Sequence, residues 1–350
     1  MNSITPKLVD IYLATLARCA PDVLVRAHVD ASMPRNVVAI GKCAGALLDG
    51  VASVHAIEHA FVAMPEGYRP PLTRAEVHLG GHPEMTPASF EAGRALLAFI
   101  EKHDDLLFLI SGGGSACVEV PLASEEETAK RNRELIASGL PIAAINAERA
   151  KLSAMKGGKL RERIRGRCVT LVYSDVATGQ LSDVASGPTA GSEMHLIADN
   201  STLVRTAASL VSKPIVLEQQ IDGDVEDAAQ LLAKAAESLR AGETLIAGGE
   251  PTVTVKSTGK GGRTIELALR FAMHARPGLR ALFASSDGVD GNSGAAGVHI
   301  PAIPTLLDRH RIATALGQSD SMSVVTQVGE PIMIAPTGNN LRDLFLVARD

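Results

Sequence analysis

"LLFLISGGGSA" (residues 106–116) is an apolar run of strand length that ends in three glycines and a serine. An ordinary turn needs one glycine, sometimes two, to reach positive φ. Three glycines before a serine predict a backbone that a ligand approaches closely, because successive N–H groups in such a turn form an anion-binding concavity. A close approach of strand and helix is the alternative interpretation. The candidate anion-binding residues are Ser111, Gly112, Gly113, Gly114 and Ser115.

The rest of the chain repeats this order of apolar strand, polar turn and helix. Apolar runs of strand length lie at 35–41, 106–112, 168–175, 243–250, 281–288 and 331–338. Helix-like stretches lie at 87–103, 124–139, 224–242 and 264–276. Several runs are almost continuously apolar, as parallel strands buried on both faces are. The alternation predicts a doubly wound α/β fold, in which ligands bind beyond the carboxyl ends of the strands.

The length of 350 residues exceeds what a single core usually organises and therefore predicts two domains. Pro214 and the polar stretch "EQQIDGD" that follows it suggest a boundary between two strand-containing halves. We therefore predict an N-terminal domain over 1–212 and a C-terminal α/β domain over 213–350.

Composition excludes several classes of protein. Hydrophobic residues make up 46% and charged residues 21%, as in ordinary globular proteins. The net charge of −5 is spread without a basic block, which argues against a nucleic-acid partner. No run of about 20 apolar residues predicts a membrane span. The opening residues do not resemble a secretory signal and the four cysteines are dispersed, so we expect a cytoplasmic protein with free thiols.

Two stretches place cations beside glycine-rich turns. In "VVAIGKCAGALLDG" (37–50), Gly41 and Gly45 let a helix N-terminus approach an anion, and Lys42 adds a full charge. The stretch lacks both GxGxxG and GxxxxGK[ST], and an ordinary turn with a solvent-facing lysine is the alternative. In "GKGGRTIELAL" (259–269), a glycine loop feeds a helix whose first arginine suits phosphoryl oxygens. The candidate residues of this second loop are Lys260, Gly261, Gly262 and Arg263.

A third cationic stretch is "INAERAKLSAMKGGKL" (145–160). Its spacing predicts one helix with Asn146, Arg149, Ser153 and Lys156 on roughly one face. Two cations on that face would suit a carboxylate or phosphate, whereas a solvated charged face is the alternative.

Acidic and titratable groups at strand ends supply the remaining candidates. Asp175, in "SDVATGQ", could deprotonate a hydroxyl or hold Mg²⁺, or could cap a turn. Asp287 and Asp290, in "SSDGVDG", could hold Mg²⁺ or a polar ligand, or belong to a structural loop. His82, in "GGHPE", is either a proton-transfer group or a turn histidine.

Taken in order over roughly residues 10 to 348, these stretches resemble the glycerate 2-kinase family, two-domain enzymes that also carry the name hydroxypyruvate reductase. The blocks that carry the resemblance are "IGKCAGAL", "GGHPE", "LISGGGSA", "INAERAKLSAMKGGKL", "SDVATGQLSDVASGPT", "AGGEPTV", "GKGGRTIELAL", "SSDGVDG" with "AAG", and "PTGNNLRDL". The resemblance implies a Rossmann-like N-terminal domain, a smaller α/β C-terminal domain and an active site in the cleft between them. It also implies ATP- and Mg²⁺-dependent phosphorylation of the 2-hydroxyl of glycerate.

By position, Lys42 is similar to the family's active-site lysine, Arg263 to its essential arginine and Asp175 to the aspartate of its S-D-V block. Residues 111–115 resemble its phosphate-facing loop. The chain departs from the family pattern at five positions, which leaves open altered metal handling, a different acceptor or loss of kinase activity. The departures are Thr86, Gly179, Gln180, Thr264 and Ile265.

The sequence therefore predicts an ATP- and Mg²⁺-dependent kinase that acts on a small anionic hydroxy acid as a monomer or homodimer. Lys42 and Arg263 would neutralise phosphoryl charge, and Asp175 would orient the hydroxyl or the metal. The predicted acceptor-binding residues are His82, Asn146, Arg149 and Lys156. One alternative is an NAD(P)H-dependent hydroxypyruvate reductase, although its GxGxxG fingerprint is absent. Another is a family member that binds an anionic ligand without turnover.

Overall fold

The computed structural model describes residues 7–140, 142–176 and 181–349. The chain forms two compact units, Pro21–Asp199 and Met1–Ala20 with Asn200–Asp350. We call them the parallel-sheet unit and the mixed-sheet unit. These bounds differ from the predicted division at 212/213. Helix α1 (Leu8–Arg18) packs against α9 (Asn200–Ala208), and the Tyr12 hydroxyl donates to the Ser285 carbonyl at 2.6 Å, so both helices group with the later residues.

The parallel-sheet unit has six strands in the order β3-β2-β1-β4-β5-β6, and every neighbouring pair is parallel. The strands are β1 (Asn36–Ile40), β2 (His59–Pro65), β3 (Glu76–Gly80), β4 (Leu106–Ser111), β5 (Cys168–Tyr173) and β6 (Glu193–Ala198). This order is that of the doubly wound Rossmann fold, so the predicted fold class is confirmed. The strand order reverses between β1 and β4, and a crevice opens at their carboxyl ends for that reason.

Helices pack on this sheet, and its four central strands, β1, β2, β4 and β5, are almost continuously apolar and buried, whereas the edge strands β3 and β6 are largely exposed. The helices are α2 (Pro21–Leu24), α3 (Ala44–Ala52), α4 (Pro87–Lys102), α5 (Gly114–Cys117), α6 (Glu125–Ala137), α7 (Ile142–Leu152) and α8 (Lys159–Glu162), with 3-10 segments at Val25–His28 and Leu181–Ser186. Helix α4 begins where the sequence predicts it. Thr86 and Ser89 form a capping box there, and Pro87 occupies the first helical position.

The predicted helix over 145–160 is wrong in its second half. Helix α7 ends at Leu152, and Ser153 forms an isolated β-bridge with Pro121. The Ser153 hydroxyl then accepts from the backbone N–H groups of Met155 and Lys156, each at 3.2 Å. Lys156 therefore does not share a helix face with Arg149.

The mixed-sheet unit has six strands in the order β11-β10-β9-β12-β8-β7. They are β7 (Pro214–Val216), β8 (Thr244–Gly249), β9 (Leu279–Ser285), β10 (Gly297–Ile300), β11 (Glu330–Pro331) and β12 (Asp343–Arg349). Only the β7–β8 pair of this sheet is parallel. The run at 331–338, predicted as a strand, contributes just the end of β11. Strand β12 lies between β8 and β9 in this sheet and is antiparallel to both.

The core of this unit lies between the sheet and its helices. Phe283 on β9 contacts Phe271 and Phe345, with ring centroids 5.1 and 5.9 Å apart. The helices, besides α1 and α9, are α10 (Val225–Ala236), α11 (Arg263–His274) and α12 (Arg309–Gly317), with a 3-10 segment at Ser321–Gln327. Across the described ranges of both units, the helices are too short or too polar to span a bilayer.

Candidate functional site

The turn after β1 and the turn after β4 are joined at the crevice of the parallel sheet. The Lys42 N–H donates to the Gly112 carbonyl at 2.9 Å, and the Cys43 N–H donates to the Ser111 hydroxyl at 3.0 Å. Gly41 has φ +110, and a Cβ there would overlap the Ser111 carbonyl oxygen. The two turns therefore form one rigid wall at the strand ends.

Ser111 builds this wall and does not face a ligand, which corrects its predicted role. Its side chain is completely buried, and its hydroxyl donates to the Ile40 carbonyl at 3.3 Å while accepting from Cys43. The hydroxyl is thus fully used in joining β1 to β4.

The glycines after Ser111 present donors at the crevice. Gly113 has φ +85 and caps the N-terminus of α5. Among the described residues, the N–H groups of Gly113, Gly114 and Ser115 have no backbone or side-chain acceptor. The Lys42 side chain passes over Gly113, so an ammonium group and three amide donors share this end of the sheet.

A chain of hydrogen bonds continues from the glycine turn. The Ser186 hydroxyl donates to Asn146 Oδ1 at 2.9 Å and lies 2.8 Å from the Ser115 hydroxyl, which is therefore left to act as the donor of that second bond. Asn146 Nδ2 donates to the Asp183 carbonyl at 3.2 Å. Ser186 and Ala185 both have positive φ, a strained backbone conformation that the surrounding structure must stabilise. Ser186 was not predicted as a site residue, because its place before a Gly-Pro turn is the only local signal for it.

His82 lies within the electrostatic reach of two cations. Desolvation, followed by the charges of Lys42 and Arg149, lowers the pKa of His82 to about 4. The imidazole is therefore neutral at pH 7. It lines an open cavity of about 870 Å³ together with Tyr68, whose ring centroid is 6.0 Å from Lys42 Nζ. Tyr68 was not predicted as a site residue, because nothing local connects it to Lys42.

Arg149 and Lys156, the two cations predicted to bind the acceptor, lie in different environments. Lys156 is 1% exposed and its ammonium is paired with Glu119, so it is not available to a ligand and its predicted role is corrected. Arg149 is 9% exposed, and its Nε donates to Asn132 Oδ1 at 2.9 Å. Among the described residues no acceptor is bonded to the terminal nitrogens of Arg149, so it remains a candidate.

Asp175 follows β5, the strand beside β4, and is half-buried. The departures Gly179 and Gln180 lie outside the described residues. Within those residues no group of three or more His, Cys, Asp or Glu side chains could hold a metal ion. Mg²⁺ in phosphoryl-transfer sites is commonly held by one or two carboxylates plus the substrate phosphates. A single carboxylate at Asp175 fits that mode of binding.

In the mixed-sheet unit, Arg263 is held by two carboxylates. Its Nε and Nη2 donate to the two oxygens of Asp343 at 2.6 and 2.9 Å, and its Nη1 lies 2.9 Å from Glu250. Asp343 is completely buried, and this burial raises its pKa against the opposing effect of Arg263. Arg342 links Glu250 to Asp222. The charge of Arg263 is therefore compensated within the protein.

Asp290 caps helix α11, which corrects its predicted role as a metal ligand. Its carboxylate accepts from the N–H groups of Thr264 and Ile265, both at 3.0 Å, and it is 1% exposed. The side chains of Thr264 and Ile265 are fully buried, so these two departures face the interior. Asp287 is half-buried, and its Oδ1 accepts from Ser285 Oγ at 2.8 Å and from the Val289 N–H at 2.9 Å.

The predicted phosphate loop at 260–262 is also corrected. The Lys260 N–H donates to Asp320 at 3.0 Å, and the Gly261 N–H donates to Asn292 at 2.8 Å. A Cβ on Gly262 would overlap Asp290, so this glycine is needed for packing. The loop is closed by the protein's own acceptors and does not present an open row of amides.

Known proteins resemble this chain over most of its length. Residues 7–215 match a family model described as a domain of unknown function, DUF4147, and residues 243–343 match the MOFRL family model. The chain is 31% identical to the glycerate 2-kinase of Sulfurisphaera tokodaii and 28% identical to the D-glycerate 2-kinase of Thermotoga maritima, with 89% of each chain covered in both cases. A crystal structure of glycerate kinase from Thermotoga maritima has a TM-score of 0.86 at 26% identity and covers 98% of both chains.

Proposed function

This chain belongs to the glycerate 2-kinase family, and from that premise we propose that it transfers the terminal phosphoryl group of ATP to a small hydroxy acid. The leading acceptor is the 2-hydroxyl of glycerate. The reaction needs positioning and charge neutralisation more than covalent chemistry by the protein. The described residues offer both at the crevice of the parallel sheet.

The phosphoryl oxygens are assigned to the turn after β4 and to Lys42. The N–H groups of Gly113, Gly114 and Ser115 have no acceptor among the described residues, and Gly41 and Ser111 join their turn to the turn after β1. Preorganised donors of this kind stabilise charge without reorganising during the reaction. The single observation that carries the proposal is this combination of three unbonded amides and one lysine at the point where the strand order reverses.

The carboxylate of the acceptor is assigned to Arg149. Its Nε is occupied by Asn132, and its terminal nitrogens can form the planar, two-bonded contact that guanidinium groups make with carboxylates. His82 is neutral at pH 7 and can accept or donate one hydrogen bond without adding charge. Asn146 supports the same region through Ser186.

Asp175 is assigned to the reacting hydroxyl. A carboxylate after β5 can accept the hydroxyl proton or orient it toward the phosphoryl group. Mg²⁺, when bound with the nucleotide, would neutralise phosphate charge, and Asp175 is the residue that fits as its carboxylate ligand.

Within the mixed-sheet unit, Arg263 stays a proposed phosphate-binding cation. A guanidinium has five N–H donors, and three of them face Asp343 and Glu250. The remaining two are held in a fixed orientation by those carboxylates. Lys260, Gly261, Asp290 and Lys156 are not part of the proposed site, for the reasons given above.

The proposal is tested by phosphorus NMR of the purified protein with ATP, Mg²⁺ and a panel of hydroxy acids that includes glycerate. We expect ADP and a 2-phosphorylated product from glycerate, and loss of both in Lys42→Gln. Lys102→Gln, a change at an exposed lysine at the end of α4, is the matched control and should remain active. Turnover that survives Lys42→Gln unchanged, or the absence of turnover with every acid, would count against the proposal.

A further inference from the structure

Beneath α6 the protein buries a group of polar side chains, of which the proposed mechanism uses only Arg149. Glu119 and Lys156 are each 1% exposed, and Asn132, Thr128 and Arg149 are 2, 3 and 9% exposed. Removing charges from water is costly unless geometry and partners compensate, and a buried ion pair is often no more stable than apolar residues of the same volume. Packing alone therefore does not explain this group.

Asn132 is the member of this group that contacts Arg149. Asn132 Oδ1 accepts from Arg149 Nε at 2.9 Å, while Asn132 Nδ2 has no partner among the described residues. Lys156 Nζ pairs with one oxygen of Glu119, and the other oxygen is likewise without a described partner. Asn132 and Glu119 thus each leave one buried polar atom without a hydrogen bond.

Arg149 connects this buried group with His82. Arg149 Nε is fixed by Asn132, and the charge of Arg149 acts on His82, which lines the cavity. Among the described residues the terminal nitrogens of Arg149 have no bonded acceptor, so they are available to a ligand.

We propose that Asn132 is a positioning residue that holds the Arg149 guanidinium for the carboxylate of the acceptor. This inference rests on the proposed function and extends it to a residue that is assigned no contact with the substrate. Asn132 fixes the plane of the guanidinium by accepting the hydrogen bond from Nε.

The first test is Asn132→Leu, which keeps the side-chain volume and removes the acceptor for Nε. We expect the acceptor KM to rise about tenfold, the effect of losing one hydrogen bond to a charged group, while kcat and the KM for ATP stay within about twofold. Glu134→Gln, on the exposed side of the same helix, is the control and should change none of these values.

The titration of His82, followed by NMR, gives a readout that does not depend on turnover. Displacement of Arg149 in Asn132→Leu should shift the pKa of His82, whereas Glu134→Gln should leave it in place. If the unmodified protein fails to phosphorylate glycerate, the proposed function fails and the titration still decides the positioning. An acceptor KM and a His82 pKa that are both unchanged in a folded Asn132→Leu variant would overturn the inference.

Discussion

Lys42 lies directly over Gly113, so close that a Cβ on the glycine would be 2.9 Å from Lys42 Cγ. The same glycine has φ +85, a value that side-chain-bearing residues adopt only with strain. Gly113 is therefore required both for its backbone conformation and for the space that the Lys42 side chain occupies. It also carries the first N–H group of the turn that has no acceptor among the described residues.

Gly113→Ala should therefore reduce both stability and activity. The left-handed φ costs about 1–2 kcal/mol. Displacement of Lys42 by the new methyl group should lower kcat/KM by about 100-fold, as misplaced catalytic groups commonly do. Chemical denaturation and steady-state kinetics measure the two effects.

Gly191→Ala is the matched control for this change. Gly191 lies in the same unit with φ +89, and nothing is within 4 Å of its Cβ position. It should lose a similar amount of stability and keep its activity. Equal losses of activity in the two variants would show that strain alone, and not Lys42, is responsible.

Asp343→Asn should destabilise the mixed-sheet unit strongly. The change removes the buried partner that binds both Nε and Nη2 of Arg263, and breaking a buried pair from one side costs about 3–5 kcal/mol. Glu237→Gln breaks an exposed ion pair of that unit, the one with Arg276, and should cost less than about 1 kcal/mol. Urea unfolding of the two variants checks this difference, and equal small losses would contradict the structural role given to Asp343.

Much of the parallel-sheet unit could be predicted from sequence because its signals are local. The apolar runs and glycine turns placed β1, β4 and β5 within one or two residues of their observed ends, and they put Lys42 beside the 112–115 turn. Doubly wound sheets bring the carboxyl ends of their strands together, so the predicted strand ends also predicted where the crevice lies.

The errors arose where a distant partner decides the local structure. The spacing of Arg149 and Lys156 fits a helix, but the bridge from Ser153 to Pro121 ends α7 before Lys156 is reached. Asp290 stands in a polar loop like a ligand, but its partners are the amides of α11, 25 and 26 residues earlier in the chain. Continuous apolar runs also do not distinguish parallel strands from an antiparallel strand buried on both faces, such as β12.

His82 should titrate far below an ordinary histidine, with its pKa near 4 in the folded protein. In the unfolded chain the pKa is about 6.5, so the unfolded state binds the extra proton between these values. The contribution of His82 to stability is therefore complete above about pH 6.5 and is lost as the pH falls toward 4.

NMR titration of His82 checks this value and its cause. Lys42→Gln and Arg149→Gln should each raise the pKa, because each removes a nearby positive charge. Binding of glycerate should raise it as well, since the ligand adds a negative charge to the same region. A His82 pKa that none of these changes moves would place Arg149 and Lys42 too far away for the proposed site.

Nucleotide preference decides between the kinase and the reductase. The turn after β1 has Gly41-Lys42 and no GxGxxG, and the donors at the crevice suit phosphate groups. ATP with Mg²⁺ should therefore stabilise the protein, by about 2.7 kcal/mol at a concentration 100 times its Kd, and NADH should not. Thermal unfolding at matched ligand concentrations measures the effect, with Lys42→Gln expected to lose most of the ATP shift and Lys102→Gln to keep it.

Stabilisation by NADH but not by ATP would support the reductase, because the crevice would then hold a dinucleotide despite its altered turn. Stabilisation by glycerate alone would support an anion-binding protein without turnover, because the amides and Arg149 can bind a carboxylate whether or not a phosphoryl donor follows.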